Sequence, residues 1–207
     1  MTNPWLSLPL ADYEGHMSAP EVQQLEPLAE LFAETLALCH PASLAVIGIA
    51  GGNGLDRIDR NVTKRVVGLD MNLLYLDAVR QRHSGLSGLE LHCIDLAEER
   101  VDMEPVQLVY AALVFEHAGV GRCLENALSM VASGGALSIV LQLPSEIEHA
   151  VGASRFPAMQ SLKSHFSLID PAWFRETLEA RNFRFAQQAR RSLPAGKAFW
   201  MGVFNRG

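Results

Sequence analysis

Two apolar runs, 43–49 and 65–70, have no alternation with polar residues, as strands buried on both faces of a sheet do. Three more strand-like runs follow at 89–94, 106–114 and 135–143. Stretches of helical spacing lie between them: a short one at 55–60, one at about 72–83 with Leu73, Leu76 and Val79 inward, and one over roughly 116–131. The pattern then changes. Asp170 is placed to cap a helix over 170–181 beside Pro171, with Phe174 and Leu178 inward. Segments 183–190 and 197–205 read as an antiparallel hairpin around Pro194-Ala195-Gly196. Repeated strand-plus-helix units imply right-handed crossovers. The expected fold is therefore α/β: a doubly wound, mostly parallel seven-stranded sheet closed by a C-terminal antiparallel hairpin.

Before the first strand, Ser18-Ala19-Pro20-Glu21 has the form of a capping box, which predicts a helix start there burying Val22 and Leu25. Pro27 predicts a break. A second helical stretch then runs to about Leu38 with Leu28, Leu31, Phe32 and Leu36 on one stripe, and His40-Pro41 ends it.

Charge narrows the partners. A net charge of −6 leaves no general attraction to nucleic acid or anionic lipid, and the densest basic cluster is the pair Arg190-Arg191. No apolar run of 18 residues occurs, and the N-terminus lacks a basic segment followed by an apolar one, so a cytoplasmic protein without a membrane partner is expected. The cysteines, Cys39, Cys93 and Cys123, are odd in number and widely spaced; they read as reduced, buried thiols, and no metal site is expected.

The chemistry concentrates at the carboxyl ends of the first three strands, where open α/β sheets bind ligands. The stretch 45–58, AVIGIAGGNGLDRI, ends an apolar run in Gly51, Gly52 and Gly54, where backbone can approach a ligand closely. Asp70 ends the second strand, where a carboxylate can accept from both hydroxyls of a ribose. Asp95 ends the third, placed to accept from an adenine amino group, with the Leu96 N–H available to a ring nitrogen. Together they describe an adenosine site.

In these residues the chain resembles the class I S-adenosylmethionine-dependent methyltransferases, over about 43–205. The first family motif is similar to Val46-Ile47-Gly48-Ile49-Ala50-Gly51-Gly52-Asn53-Gly54, the second to Val66-Val67-Gly68-Leu69-Asp70, and the third to Cys93-Ile94-Asp95-Leu96. The fourth-strand pattern looks like 108–117, ending in Glu116-His117, and Gly134-Gly135 matches the turn that follows. Two departures stand out. Gly48 occupies the place of the family's first acid, whose usual task is to help hold the cofactor's ammonium; Tyr13 or Glu14 could take that role. Ala50 replaces its first glycine.

The resemblance implies S-adenosyl-L-methionine as cofactor and an in-line methyl transfer to an acceptor. Its cofactor contacts would be Gly48, Ala50, Gly51, Gly52, Asn53, Gly54, Asp70, Met71, Asp95, Leu96, Ala111 and Leu113. His117, His16 and Tyr13 are the candidate catalytic residues. Residues 1–42 would form an arm and lid, and 144–168 an acceptor-side insertion within the domain 43–207, with Gln142, His149, Arg155 and His165 as candidate acceptor contacts. Tyr110-Ala111-Ala112-Leu113 lacks the Asn/Asp-Pro-Pro-aromatic and Pro-Cys sequences of nucleobase enzymes, which favours a small-molecule acceptor. Two rival readings remain: a non-catalytic binder of S-adenosylmethionine or S-adenosylhomocysteine, and an NAD-dependent oxidoreductase. The latter's G-x-G-x-x-G fingerprint fails, because Arg57 stands at the third glycine.

Overall fold

The structure, a computed structural model, describes residues 3–145 and 155–207. His149 therefore lies outside the described residues, as do 146–154 of the insertion. Seven strands form one sheet: β1 (Ser43–Ile47), β2 (Arg65–Asp70), β3 (Leu89–Cys93), β4 (Val106–Ala112), β5 (Val131–Gln142), β6 (Phe183–Ser192) and β7 (Ala198–Arg206). Their order is β3-β2-β1-β4-β5-β7-β6; only β7 runs against the others, wedged between β5 and β6. This is the doubly wound sheet with a closing hairpin that the strand pattern implied. The order reverses beside β1, so the tips of β1 and β4 diverge and leave a crevice there.

Each face of the sheet carries a core. Ala45, Ile47, Val109 and Leu137 pack with Phe115, Leu124, Phe174 and Leu178 on one side; Leu44, Leu108, Val140 and Met201 pack with Leu28, Phe32, Leu76 and Val79 on the other. The first set meets α4 (Phe115–Ala118), α5 (Gly121–Met130) and α6 (Pro171–Glu179); the second meets α2 (Leu25–Cys39) and α3 (Leu73–Arg82). Asp170 caps α6 by accepting from the Ala172 N–H at 2.9 Å, as its sequence position suggested.

Several local expectations need correction. Ser18 does not start a helix; it ends α1 (Leu10–Met17), its hydroxyl donating to the Glu14 carbonyl at 2.8 Å. Pro27 does not break α2, because it is the third helical residue, where the missing N–H is an orphan anyway. Leu73 points out at 56% exposure: it lies about 200° around the helix from Tyr75, and Tyr75, Leu76 and Val79 make the buried face. The stretch 116–131 is not one helix, since Gly119 at φ +74 separates α4 from α5, and β5 already begins at Val131. The element after the glycine loop is a 3₁₀ turn, Leu55–Arg57. Cys123 is buried, but Cys93 is exposed at the end of β3.

A third, small core covers the strand tips. Leu8 from the N-terminal arm packs with Met159 and Leu162 of a 3₁₀ helix, Pro157–His165, and Trp5, Tyr13 and Phe156 close around them. The arm is also latched from the other side. Glu14 forms a two-pronged ion pair with Arg82 at the end of α3, one prong Arg82 Nη2 to Glu14 Oε2 at 2.9 Å. Because both partners are partly exposed, Glu14→Ala is expected to cost less than about 1 kcal/mol of global stability while raising amide exchange across 10–17 in hydrogen-exchange mass spectrometry. Unchanged exchange there would mean that the small core alone holds the arm.

Candidate functional site

A cavity of about 200 Å³ opens over the strand tips, between the sheet below and the arm with the Pro157–His165 helix above. Its wall includes Gly48 and Ala50 after β1, Asp70 and Met71 after β2, Asp95 and Leu96 after β3, Ala112 and Leu113 at β4, and Gln142 at β5. Tyr13, His16 and His117 face the same space. Most of the sites read from sequence are thus brought together.

The rest of the glycine loop is not. The wall stops at Ala50, and Gly51, Gly52, Asn53 and Gly54 lie behind it. A Cβ on Gly51 would meet Glu14 Oε1 at 2.1 Å, one on Gly52 would meet His83 Nε2 at 2.9 Å, and one on Gly54 would meet Phe32 Cδ1 at 3.0 Å. These glycines admit neighbouring side chains and helices. Asn53 donates to the Leu25 carbonyl at 2.8 Å, tying the loop to α2. Ala111 is also displaced from the site, because strand side chains alternate: it sits in the core beneath, and Ala112 reaches the cavity. Arg155 lies over the Phe156 ring and His165 bonds Ser164; neither lines the wall.

Asp70 organises the crevice. Its Oδ2 accepts from the Ala50 N–H at 2.9 Å and its Oδ1 from the Asn72 N–H at 2.9 Å, so one carboxylate joins the β1 loop to the start of α3. Burial raises its pKa and the backbone bonds work against that rise. Ala50 has φ +46 and Leu113 φ +57, left-handed conformations that cost a non-glycine residue roughly 1–2 kcal/mol. Both strained residues line the cavity, and such strain collects at sites of function. Asp95 accepts from the Ala97 N–H at 2.9 Å, closing a turn as well as facing the cavity.

At the other side stand Glu116 and His117. Glu116 is buried; its Oε1 accepts from the Gln142 N–H at 2.8 Å, its backbone carbonyl accepts from the Ser167 N–H at 2.8 Å, and Oε2 has no partner among the described residues. Burial pushes its carboxyl up to about 7. His117 has Trp5 and Phe166 edge-on at 4.9 and 5.0 Å. Burial pulls it down to about 4, against a hydrogen bond to the His165 backbone. Its Nδ1 and the Trp5 Nε1 are buried without partners among the described residues, and both rings line the cavity. Two bare ring nitrogens are what a polar ligand would satisfy.

Tyr13 packs against Trp5 and Tyr75, and burial followed by the Asp70 charge raises its pKa, so it stays a protonated donor. Glu14 does not face the cavity, being held by Arg82. Sequence reasoning missed Trp5, Gln24, Phe166 and Lys197, which come from four segments remote in sequence. Among the described residues no group of three or more His, Cys, Asp or Glu could hold a metal, and no helix is long and apolar enough to cross a membrane.

No protein-family model matches this chain, and no curated protein does. Solved structures do. The N-methyltransferase NodS from Bradyrhizobium japonicum WM9, in complex with S-adenosyl-L-homocysteine, is 14% identical at TM-score 0.70, with 99% of each chain covered. Magnesium protoporphyrin IX methyltransferase from Synechocystis PCC 6803, with bound S-adenosylmethionine, is 10% identical at TM-score 0.71, covering 100% of this chain and 98% of that one. The [4+2]-cyclase SpnF is 14% identical at TM-score 0.67, covering 91% and 84%. At these identities the likeness is one of fold, and the fold is the one these methyltransferases share.

Proposed function

We propose that the protein binds S-adenosylmethionine in this cavity and transfers its methyl group to a small-molecule acceptor. The observation that carries the reading is Asp70, a strand-tip carboxylate that keeps free lone pairs toward the cavity, in a fold matched end to end by methyltransferases. The residues fit the cofactor. Asp70 would hold the ribose hydroxyls, Asp95 and the Leu96 N–H the adenine, and Gly48 and Ala50 would line the methionine tail. A pyrophosphate fits worse, since the glycine loop leads into a three-residue 3₁₀ turn and not into a helix N-terminus.

When bound, the sulfonium supplies an electrophilic methyl with a good leaving group. The protein's own share is then positioning and exclusion of water. The arm and the Pro157–His165 helix cover the crevice, and the Trp5 and Phe166 rings fix His117 edge-on. At neutral pH His117 is uncharged, so Nδ1 accepts a hydrogen bond from the acceptor's N–H or O–H and aims its nucleophile. Burial and the charge of Lys197 lower the pKa of His16, leaving a neutral imidazole in the same wall.

Calorimetry is expected to show S-adenosylmethionine and S-adenosylhomocysteine binding and no heat with NAD; absence of heat at millimolar S-adenosylhomocysteine would sink the reading. His117→Ala should keep cofactor affinity and lower methyl transfer roughly 10- to 100-fold through lost positioning. A second reading is favoured by Gly48, which removes the usual acid, and by the cyclase with the same fold. If the cofactor binds yet no metabolite pool accepts a methyl group, the protein is a binder and not a transferase.

A further inference from the structure

The two bare ring nitrogens of the cavity wall, Nε1 of Trp5 and Nδ1 of His117, belong to rings set edge to face with centres 4.9 Å apart. Neither bonds the other, and the role of each is fixed. An indole N–H only donates. The His117 ring bonds the His165 backbone, and since Nδ1 has no partner among the described residues, that bond belongs to Nε2. A ring nitrogen that faces a carbonyl carries the hydrogen, so in the neutral imidazole Nδ1 keeps a bare lone pair. One donor and one acceptor thus stand side by side, at a spacing that two hydrogen bonds of roughly 2.9 Å to a single atom bridge.

Both rings are held from behind. The Trp5 carbonyl accepts from Asn72 Nδ2 at 2.8 Å, and the Asn72 N–H is the one bound to Asp70, so the indole is tied to the same strand tip as the carboxylate assigned to ribose. Tyr13 lies edge-on to the indole at 5.5 Å, and Phe166 to the imidazole at 5.0 Å. A fixed donor and acceptor select a guest by the hydrogens and lone pairs it offers. An ammonium has no lone pair for Trp5, and a carboxylate has no hydrogen for His117. A thiol serves both only weakly. A neutral amine has a hydrogen and a lone pair, but that single pair, once it accepts from Trp5, is no longer free to attack a methyl group. A hydroxyl oxygen has two pairs, one for each task.

We propose that the acceptor's nucleophile is a hydroxyl group seated between Trp5 Nε1 and His117 Nδ1, which makes the protein an O-methyltransferase. In the transfer the free oxygen lone pair forms the new bond to the methyl carbon, and the carbon–sulfur bond breaks with its electron pair left on sulfur. The hydroxyl proton passes to His117 Nδ1. The products are a methyl ether, S-adenosylhomocysteine and an imidazolium that returns its proton to solvent. Trp5 is then a specificity residue, because it occupies the pair that an amine would need for attack.

This inference rests on the methyltransferase reading, and the test separates the two. Protein given a metabolite pool and S-adenosylmethionine labelled with carbon-13 at the methyl is expected to form a product whose labelled carbon resonates as an ether O–CH3 and survives alkali. A labelled methyl on nitrogen, sulfur or carbon, or in a base-labile ester, overturns the hydroxyl and leaves methyl transfer standing. No labelled product at all is instead failure of the broader reading. Binding gives a readout apart from turnover. On protein loaded with S-adenosylhomocysteine, fluorine NMR should show 4-fluorophenol binding at least about fivefold more tightly than 4-fluoroanisole, which lacks the hydrogen, and than 4-fluoroaniline, whose lone pair accepts poorly. His117→Phe should shrink the first preference, and Trp5→Phe the second, to below about twofold with S-adenosylhomocysteine affinity unchanged. Equal affinity for the three probes, or preferences that survive both substitutions, overturns the assignment. Should a variant fail to fold, the wild-type comparison of the three probes decides.

Discussion

Asp70→Ala is expected to weaken S-adenosylhomocysteine binding more than about 100-fold, because the two charge-assisted bonds that we propose it makes to ribose would be lost, at roughly 1.5–3 kcal/mol each. The loss has a second source in the protein itself. Without the carboxylate, the Ala50 and Asn72 N–H groups lose their acceptors, and the left-handed conformation of Ala50 at the cavity wall loses one of the bonds that hold it. Leaving those donors unsatisfied should lower folding stability by roughly 1–3 kcal/mol, read by urea denaturation. Asp70→Asn separates the two effects. It keeps the shape, but its single oxygen accepts from only one of the Ala50 and Asn72 N–H groups and its NH2 faces the other, so stability should fall by roughly 1–3 kcal/mol as for alanine, while the polar contact that remains limits the loss of binding to about tenfold. Asp70→Ala protein that binds S-adenosylhomocysteine within threefold of the wild type would remove this residue from the site.

Asp70 also shows which parts of the molecule a sequence discloses. A strand-end acid is a local signal, and so are the apolar runs of β1 and β2, whose continuous hydrophobicity leaves no freedom about which face is buried. The glycine loop is legible as a place of close approach, but not as to what approaches: Gly51 yields to Glu14 and Arg82, and Gly54 to Phe32, as readily as either would to a ligand. Ser18 and Pro27 mislead because serine and proline are satisfied equally at a helix end and in a first turn, and only tertiary packing selects between these. The wall opposite the strand tips was least visible. His16 and His117 could be singled out, but Trp5, Gln24, Phe166 and Lys197 could not, because no spacing rule links an arm, a turn, a loop and a hairpin that meet only when the sheet closes.

Stability should respond to pH through Glu116 and His117, neighbours whose buried side chains act in opposite directions. The Glu116 carboxyl is pushed up to about 7 in the folded state. Its contribution is full below the ordinary value of 4.5 and is lost as pH rises through 7, amounting to about 3 kcal/mol. His117 is pulled down to about 4 from 6.5. Its contribution is full above 6.5 and is lost as pH falls through 4, again by about 3 kcal/mol. Between 4.5 and 6.5 the two slopes oppose one another, so the native protein hides both. Single substitutions uncover them. Relative to the wild type, Glu116→Gln, which keeps an acceptor for the Gln142 N–H, should gain about 3 kcal/mol on going from pH 4.5 to 7.5, and His117→Gln should gain a similar amount on going from pH 6.5 to 4. Urea midpoints measured at half-unit intervals of pH would show the two difference curves with opposite slopes. Flat difference curves would mean that neither side chain is held in the uncharged state, on which the role we propose for His117 as a neutral acceptor depends.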